Sequence, residues 1–91
     1  MDTTTVNYPT LNVHCDGGAR GNPGPAAAAF VVTATGNLVY QSGQALGPTT
    51  NNVAEYTAVK LALDWLIVYA SSHSISQVNF FLDSNLVVNQ I

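Results

Sequence analysis

Leu11-Asn12-Val13-His14-Cys15-Asp16-Gly17-Gly18-Ala19-Arg20-Gly21-Asn22-Pro23-Gly24-Pro25 is the stretch on which the reading of this 91-residue chain turns. Leu11, Val13 and Cys15 alternate with polar neighbours at a period of two, the pattern of a half-buried strand. The alternation stops at Asp16-Gly17-Gly18, so Asp16 is expected at a strand end. Gly17 to Pro25 holds four glycines and two prolines and predicts a shaped loop whose backbone can approach a ligand closely. Alternation also sends Cys15 to the face opposite Asp16, as a small core residue, and gives His14 the face of Asp16.

Working outward, Ala26 to Ala34 predicts a second strand, Thr35-Gly36-Asn37 a turn, and Leu38 to Leu46 the returning strand. Gly47-Pro48-Thr49-Thr50 breaks the pattern. Val53, Tyr56, Val59, Leu63, Leu66, Ile67 and Ala70 then recur at three- and four-residue spacing, which predicts a helix to about Ser71 buried along that stripe. On the same reading Trp65, Tyr56 and Tyr69 belong to the core, and Lys60 and Asp64 form a surface pair. His73 falls in a solvated connection, Val78 to Leu82 is an apolar strand, and Asp83-Ser84-Asn85 is the turn and cap of a helix beginning near Leu86. The expected fold is therefore α/β with a mixed sheet: a three-strand antiparallel meander, a helix, a parallel strand and the start of a second helix. Residues 1–10 read as an N-terminal extension and residues 11–91 as a single domain.

Composition narrows the function. The chain is 47% apolar and 8% charged, with two Lys+Arg against five Asp+Glu and a formal net charge of -3. That balance excludes a broad basic surface gripping nucleic acid by charge alone. No apolar run approaches the roughly 20 residues that span a bilayer. The first residues lack the features of a signal peptide, and the single cysteine excludes an internal disulfide, so an intracellular, cytoplasmic setting is expected.

Three carboxylates occupy corresponding places: Asp16 after the first strand, Glu55 in the first turn of the helix, and Asp83 after the last strand. If the first and last strands are parallel neighbours, their carboxyl ends meet at one edge, where open α/β sheets place their sites. Converging carboxylates repel unless a cation holds them, and all-oxygen ligation favours Mg²⁺ or Mn²⁺. Two plainer readings stand beside this one: Glu55 completing a capping box with Asn52, and Asp83 as a simple N-cap.

Asp16-Gly17-Gly18-Ala19-Arg20-Gly21-Asn22-Pro23-Gly24-Pro25, Thr49-Thr50-Asn51-Asn52-Val53-Ala54-Glu55-Tyr56 and Leu82-Asp83-Ser84-Asn85 together resemble, in order and spacing, the successive motifs of type 1 ribonuclease H. The resemblance implies a metal-dependent endonuclease that hydrolyses the RNA strand of RNA/DNA hybrids, two divalent ions clamping the scissile phosphate for in-line attack by water. It makes Asp16, Glu55 and Asp83 catalytic metal ligands. It makes Gly17, Arg20, Asn22, Thr50, Asn51, Asn52 and Asn85 nucleic-acid contacts, reading 2′-hydroxyls and sugar edges by hydrogen bonds rather than charge. The family's domain continues through further helices, a fifth strand, a fourth carboxylate and commonly a histidine. The expected alternatives are a hybrid-binding remnant and one half of an enzyme completed by a second copy or a C-terminal segment that covers the open sheet edge.

Overall fold

The computed structural model describes residues 10–82, in the order β1 (Thr10–Ala19), β2 (Gly24–Ala34), β3 (Asn37–Thr49), α1 (Asn51–Ala70) and β4 (Gln77–Leu82). The N-terminal extension, the second helix near Leu86, Asp83 and Asn85 lie outside the described residues. The strands form one sheet in the order β3-β2-β1-β4. β1–β2 and β2–β3 pair antiparallel, whereas β4 runs parallel to β1 from Thr10↔Gln77 to Cys15↔Leu82. The predicted α/β class, meander and parallel strand are all present.

One face of the sheet makes the core. Leu11, Val13 and Cys15 of β1 and Ala28, Phe30, Val32 and Ala34 of β2 alternate inward beneath Ala58, Ala62 and Leu66 of α1. Thr35-Gly36 forms a two-residue hairpin with positive φ at both positions (50° and 80°), the geometry whose twist matches the flanking strands. β3 carries two irregularities against β2, and the extra residues there, Val39 and Leu46, both pack on the core.

Several boundaries and faces differ from expectation. β1 continues through Gly17 and Gly18 to Ala19, which pair with Ala28, Ala27 and Ala26. The loop is therefore only residues 20–23, closed by the Arg20 N–H donating to the Pro25 carbonyl at 2.8 Å, and β2 begins at Gly24 rather than Ala26. Asp16 is inside a strand, at the point where β1 stops pairing with β4 among the described residues. β3 likewise runs on through Gly47-Pro48, because edge residues tolerate both a bulge and a proline.

The largest correction concerns α1. Its buried stripe is Ala54, Ala58, Ala62 and Leu66, while Tyr56, Leu63 and Ile67 face outward at 79%, 45% and 70% exposure. Small side chains let the helix lie close to the sheet, and its apolar residues extend too far round the circumference for periodicity to choose a face. Tyr56 is thus not core. Trp65 and Tyr69 do pack on the core, in a stack running from Tyr40 through Trp65 and Tyr69 to His73, with ring centroids 5.3, 4.7 and 3.9 Å apart. His73 is held by that stack and by the Tyr69 carbonyl, 3.0 Å from Nδ1, rather than being a free loop residue. Lys60 and Asp64 pair as expected, at 2.9 Å and well exposed, a geometry worth little to stability. No helix among the described residues is long and apolar enough to cross a membrane.

Cys15 lies in this core, and burial pushes its thiol up from 9.0 to about 11. Because the folded state holds the proton more tightly, this contribution to stability is complete below pH 9 and is lost as pH rises toward 11. Cys15→Ala should therefore flatten the alkaline fall in melting temperature between pH 9 and 11. Identical pH profiles for parent and variant would show that the thiol has no part in it.

Candidate metal and nucleic-acid site

Asp16 is 3% exposed, and taking a carboxylate out of water costs several kcal/mol unless cations or hydrogen-bond donors compensate it. Its neighbours tie it to α1. Cys15 pairs with Leu82, and Leu82 lines a groove of about 400 Å³ together with Asn52, Glu55, Tyr56 and Val59. From the other side, Gly17 packs so closely under α1 that a Cβ there would overlap the Ala54 carbonyl and the Glu55 amide nitrogen. Strand and helix backbones thus touch at the residues that directly follow Asp16 and flank Glu55, with no side chain between them.

The helix start is built by three side chains. Thr50 is the N-cap, its Oγ1 accepting from the Val53 N–H at 3.3 Å. Asn51 donates its backbone N–H to Asn22 Oδ1 at 3.0 Å, and Asn51 Oδ1 accepts the Ala19 N–H at 2.8 Å. With Thr50 as cap, the capping-box position is Val53, so Glu55 takes no part in capping. It lies in the second turn rather than the first, and is exposed.

Among the predicted nucleic-acid contacts, Asn22, Asn51 and Asn52 are exposed around this junction, and Arg20 is exposed at the loop's start. Thr50 is half-buried by its capping role. Gly17 is buried under α1, a packing position rather than a surface one. His14 shares the Asp16 face by alternation and stacks on Phe81 at 4.8 Å. Sequence reasoning passed over the Gly17 contact and the Asn22–Asn51–Ala19 links. The glycine directly after a candidate carboxylate was the one signal that pointed to the former.

Among the described residues no group of three or more His, Cys, Asp or Glu side chains gathers to hold a metal. Asp83 directly follows Leu82 and lies outside them. What is present still fits a hard cation: a buried carboxylate on β1 and an exposed one at the groove, both oxygen donors. Mg²⁺ is commonly held by one or two carboxylates with waters and substrate phosphates completing its shell.

A family model described as RNase H matches residues 9–91. The chain is 37% identical over 95 aligned residues to Ribonuclease HI of Halobacterium salinarum, covering 99% of this chain and 46% of that protein. It is 42% identical over 81 residues to the bifunctional protein Rv2228c of Mycobacterium tuberculosis, covering 87% of this chain and 21% of that one. Among solved structures, LC11-RNase H1 in complex with an RNA/DNA hybrid superimposes with a TM-score of 0.73 at 42% identity, over 88% of this chain and 59% of that one. RNase H1 from Halobacterium salinarum gives 0.68 at 33% identity, over 85% and 56%. The chain thus spans less than half the length of these curated relatives and under two thirds of the solved ones.

Proposed function

The chain belongs to the RNase H family, and from that premise we propose that it acts on RNA/DNA hybrids, hydrolysing the RNA strand with divalent metal ions. The observation that carries this reading is the backbone contact of Gly17 with Ala54 and Glu55, which fixes the strand of Asp16 against the helix turn of Glu55. Its support from relatives is the likeness to LC11-RNase H1, a protein solved with such a hybrid. Asp16, Glu55 and Asp83 are the residues that would hold Mg²⁺, or Mn²⁺. Ions of this kind neutralise charge on a scissile phosphate and make water a better nucleophile. The chain's own part is to keep Asp16 dry and in place, to present Glu55 at the groove, and to orient the hybrid.

Asn22, Asn51, Asn52 and Asn85, with Arg20 and Thr50, are the groups for that orientation. A net charge of -3 leaves recognition to hydrogen bonds and shape, as suits a duplex told from DNA by its 2′-hydroxyls. An intracellular setting goes with this substrate.

A second reading, a half-enzyme completed by another polypeptide, is favoured by the outward Tyr56, Leu63 and Ile67 of α1 and by Leu82 at 72% exposure. Large apolar side chains left outward in this way are what a partner surface would cover. The occupant is a second copy or a segment matching the part of the solved relatives that this chain does not cover.

One assay separates the readings: an end-labelled hybrid with purified chain in Mg²⁺ or Mn²⁺, alone and mixed with that segment, and Asp83→Asn in parallel. Cleavage of the RNA strand alone, lost in Asp83→Asn, is the expected result. Cleavage only in the mixture selects the half-enzyme. Binding without cleavage in every mixture leaves a hybrid-binding remnant, and absence of both binding and cleavage overturns the proposal.

A further inference from the structure

β4 leads directly into Asp83, so its register against β1 decides the level of the sheet at which the chain is handed on to that residue. Cys15↔Leu82 is the last described pair, and Asp16 and Asp83 are the next residues along the two chains. A slip of one residue would turn every side chain of β4 to the opposite face, and a slip of two would move its end about 6–7 Å along β1. Burial holds this register only weakly. Val78 packs on the core, but Phe80 and Leu82 on the same face are 39% and 72% exposed, and Phe81 makes the other face apolar as well. What tells one register from its neighbours lies on the face away from α1. There Asn79 donates from Nδ2 to Oδ1 of its register partner Asn12 at 3.1 Å, and the next outward pair, His14 and Phe81, stack with ring centroids 4.8 Å apart. We propose that the Asn12–Asn79 amide pair, seconded by the His14–Phe81 stack, is a register key. Asn12 and Asn79 are then positioning residues for the metal site, acting through the level of β1 at which β4 hands the chain on to Asp83.

Amide chemistry makes the key directional. Gln77 Nε2 donates to Asn79 Oδ1 at 2.9 Å, so both ends of the Asn79 amide are engaged and its NH₂ is turned to Asn12. Each alternative register breaks both outward pairs. A one-residue slip turns Asn79 toward the core, opposite Leu11 or Val13, where an amide without a partner is costly. A two-residue slip in one direction brings Gln77 opposite Asn12, but it also sets the Phe81 ring opposite the Asp16 carboxylate. In the other direction it sets Phe81 opposite Asn12 and Asn79 opposite Thr10. Neither keeps the ring stack. A polar pair satisfied in one alignment only is the best-attested use of a partly buried amide in fixing register. The key rests on the described ladder alone, and its consequence for metal rests on the reading of Asp16 and Asp83 as ligands given above.

Variants of the whole chain separate the two. Asn79→Leu keeps the side-chain volume, removes the donor and leaves residues 78–82 apolar throughout. Asn12→Ala removes the acceptor with little disturbance, and Asn12→Asp keeps an acceptor oxygen for Asn79. Interstrand backbone NOEs read the register. The parent should show the set that runs from Leu11 and Val78 to Cys15 and Leu82. Asn79→Leu and Asn12→Ala should show a displaced set, or lose the β1–β4 set while β1–β2 NOEs persist, and Asn12→Asp should match the parent. Mn²⁺ alone, titrated at salt that screens the added charge, reads the consequence: binding about tenfold weaker in Asn79→Leu and Asn12→Ala, and parental in Asn12→Asp. Leu66→Ala, a core truncation in α1, should melt lower than the parent yet bind Mn²⁺ as the parent does while folded. If Asn79→Leu does not fold, Asn12→Ala against Asn12→Asp decides. A parental β1–β4 set in the variants that lose the pair overturns the key. A displaced register with parental Mn²⁺ affinity, or equal weakening in Leu66→Ala, overturns the positioning role. A parent that binds no Mn²⁺ overturns the metal reading and the positioning role with it, while the NOEs still decide the key.

Discussion

Gly17→Ala is expected to lower the melting temperature by on the order of 10–20 °C and to remove hybrid cleavage with it. The added methyl group would occupy the place of the Ala54 carbonyl and crowd the Glu55 nitrogen. These are backbone atoms of a continuous helix, so no side-chain rotation relieves the overlap. Either β1 bends away or α1 lifts from the sheet. Lifting uncovers Ala54, Ala58 and Ala62, which reach the core only because the helix lies so close. Overpacking a dense interior costs about 1–3 kcal/mol and more when backbone must move, and each kcal/mol shifts the melting point of a domain this size by roughly 4–8 °C. The control is Gly43→Ala on β3, where the nearest atom to a new Cβ is the Ala29 Cβ at an ordinary 4.0 Å. That variant should melt no lower than the parent and up to a few degrees higher, because a compatible Gly→Ala change acts mainly by restricting the unfolded chain. Circular-dichroism melts of the three proteins decide it. A Gly17→Ala protein that melts beside the Gly43→Ala control would show that the helix start is not pinned at this point.

Gly17 also marks the limit of what can be read before folding. Alternation of Leu11, Val13 and Cys15 was enough to identify β1 and its buried face, and Thr35-Gly36-Asn37 was enough for the hairpin, although Asn37 already pairs with Ala34 as the first residue of β3, because both signals are local. A parallel last strand was expected from the order of elements, while its pairing directly with β1 stood only as the condition under which the carboxylates meet. What failed was whatever depends on how close two elements come. A run of glycines reads as a turn, yet Gly17 and Gly18 are strand residues, and Gly17 is needed for the absence of a side chain. The large apolar residues of α1 outweigh its alanines in any periodicity, yet the alanines face the sheet. Thr50 and Asn52 are both good caps, so Glu55 was legible as a helix residue but not as one in the second turn. Asn22 and Asn51 were legible as polar residues near the site, but the direction of their amides depends on two N–H groups, those of Ala19 and Asn51, that only the fold brings to them.

Asp16→Asn is the second substitution with a large expected effect, and its two consequences have opposite sign. In metal-free buffer the variant should melt higher than the parent, by an amount corresponding to about 1–2 kcal/mol. The side chain is 3% exposed, so beside whatever its contacts within the protein contribute, its charge carries a desolvation cost that a neutral amide of the same shape, still with one acceptor oxygen, does not. In Mg²⁺ the order should change. A cation that binds only the folded parent raises its melting point by mass action, and a site that has lost its driest carboxylate no longer gains this way. Cleavage of the RNA strand should fall at least a hundredfold, since an amide is a poor ligand for a hard divalent ion and the positioning of that ion is what the carboxylate contributes. Melts with and without Mg²⁺ test the argument independently of turnover. A variant less stable than the parent without metal, and equally stabilised by Mg²⁺, would mean that Asp16 is a structural carboxylate satisfied by the protein alone, and that the metal site lies elsewhere. A higher metal-free melt with no response to Mg²⁺ would mean that this small sheet carries a destabilising charge at its centre because a bound cation is what makes the charge useful.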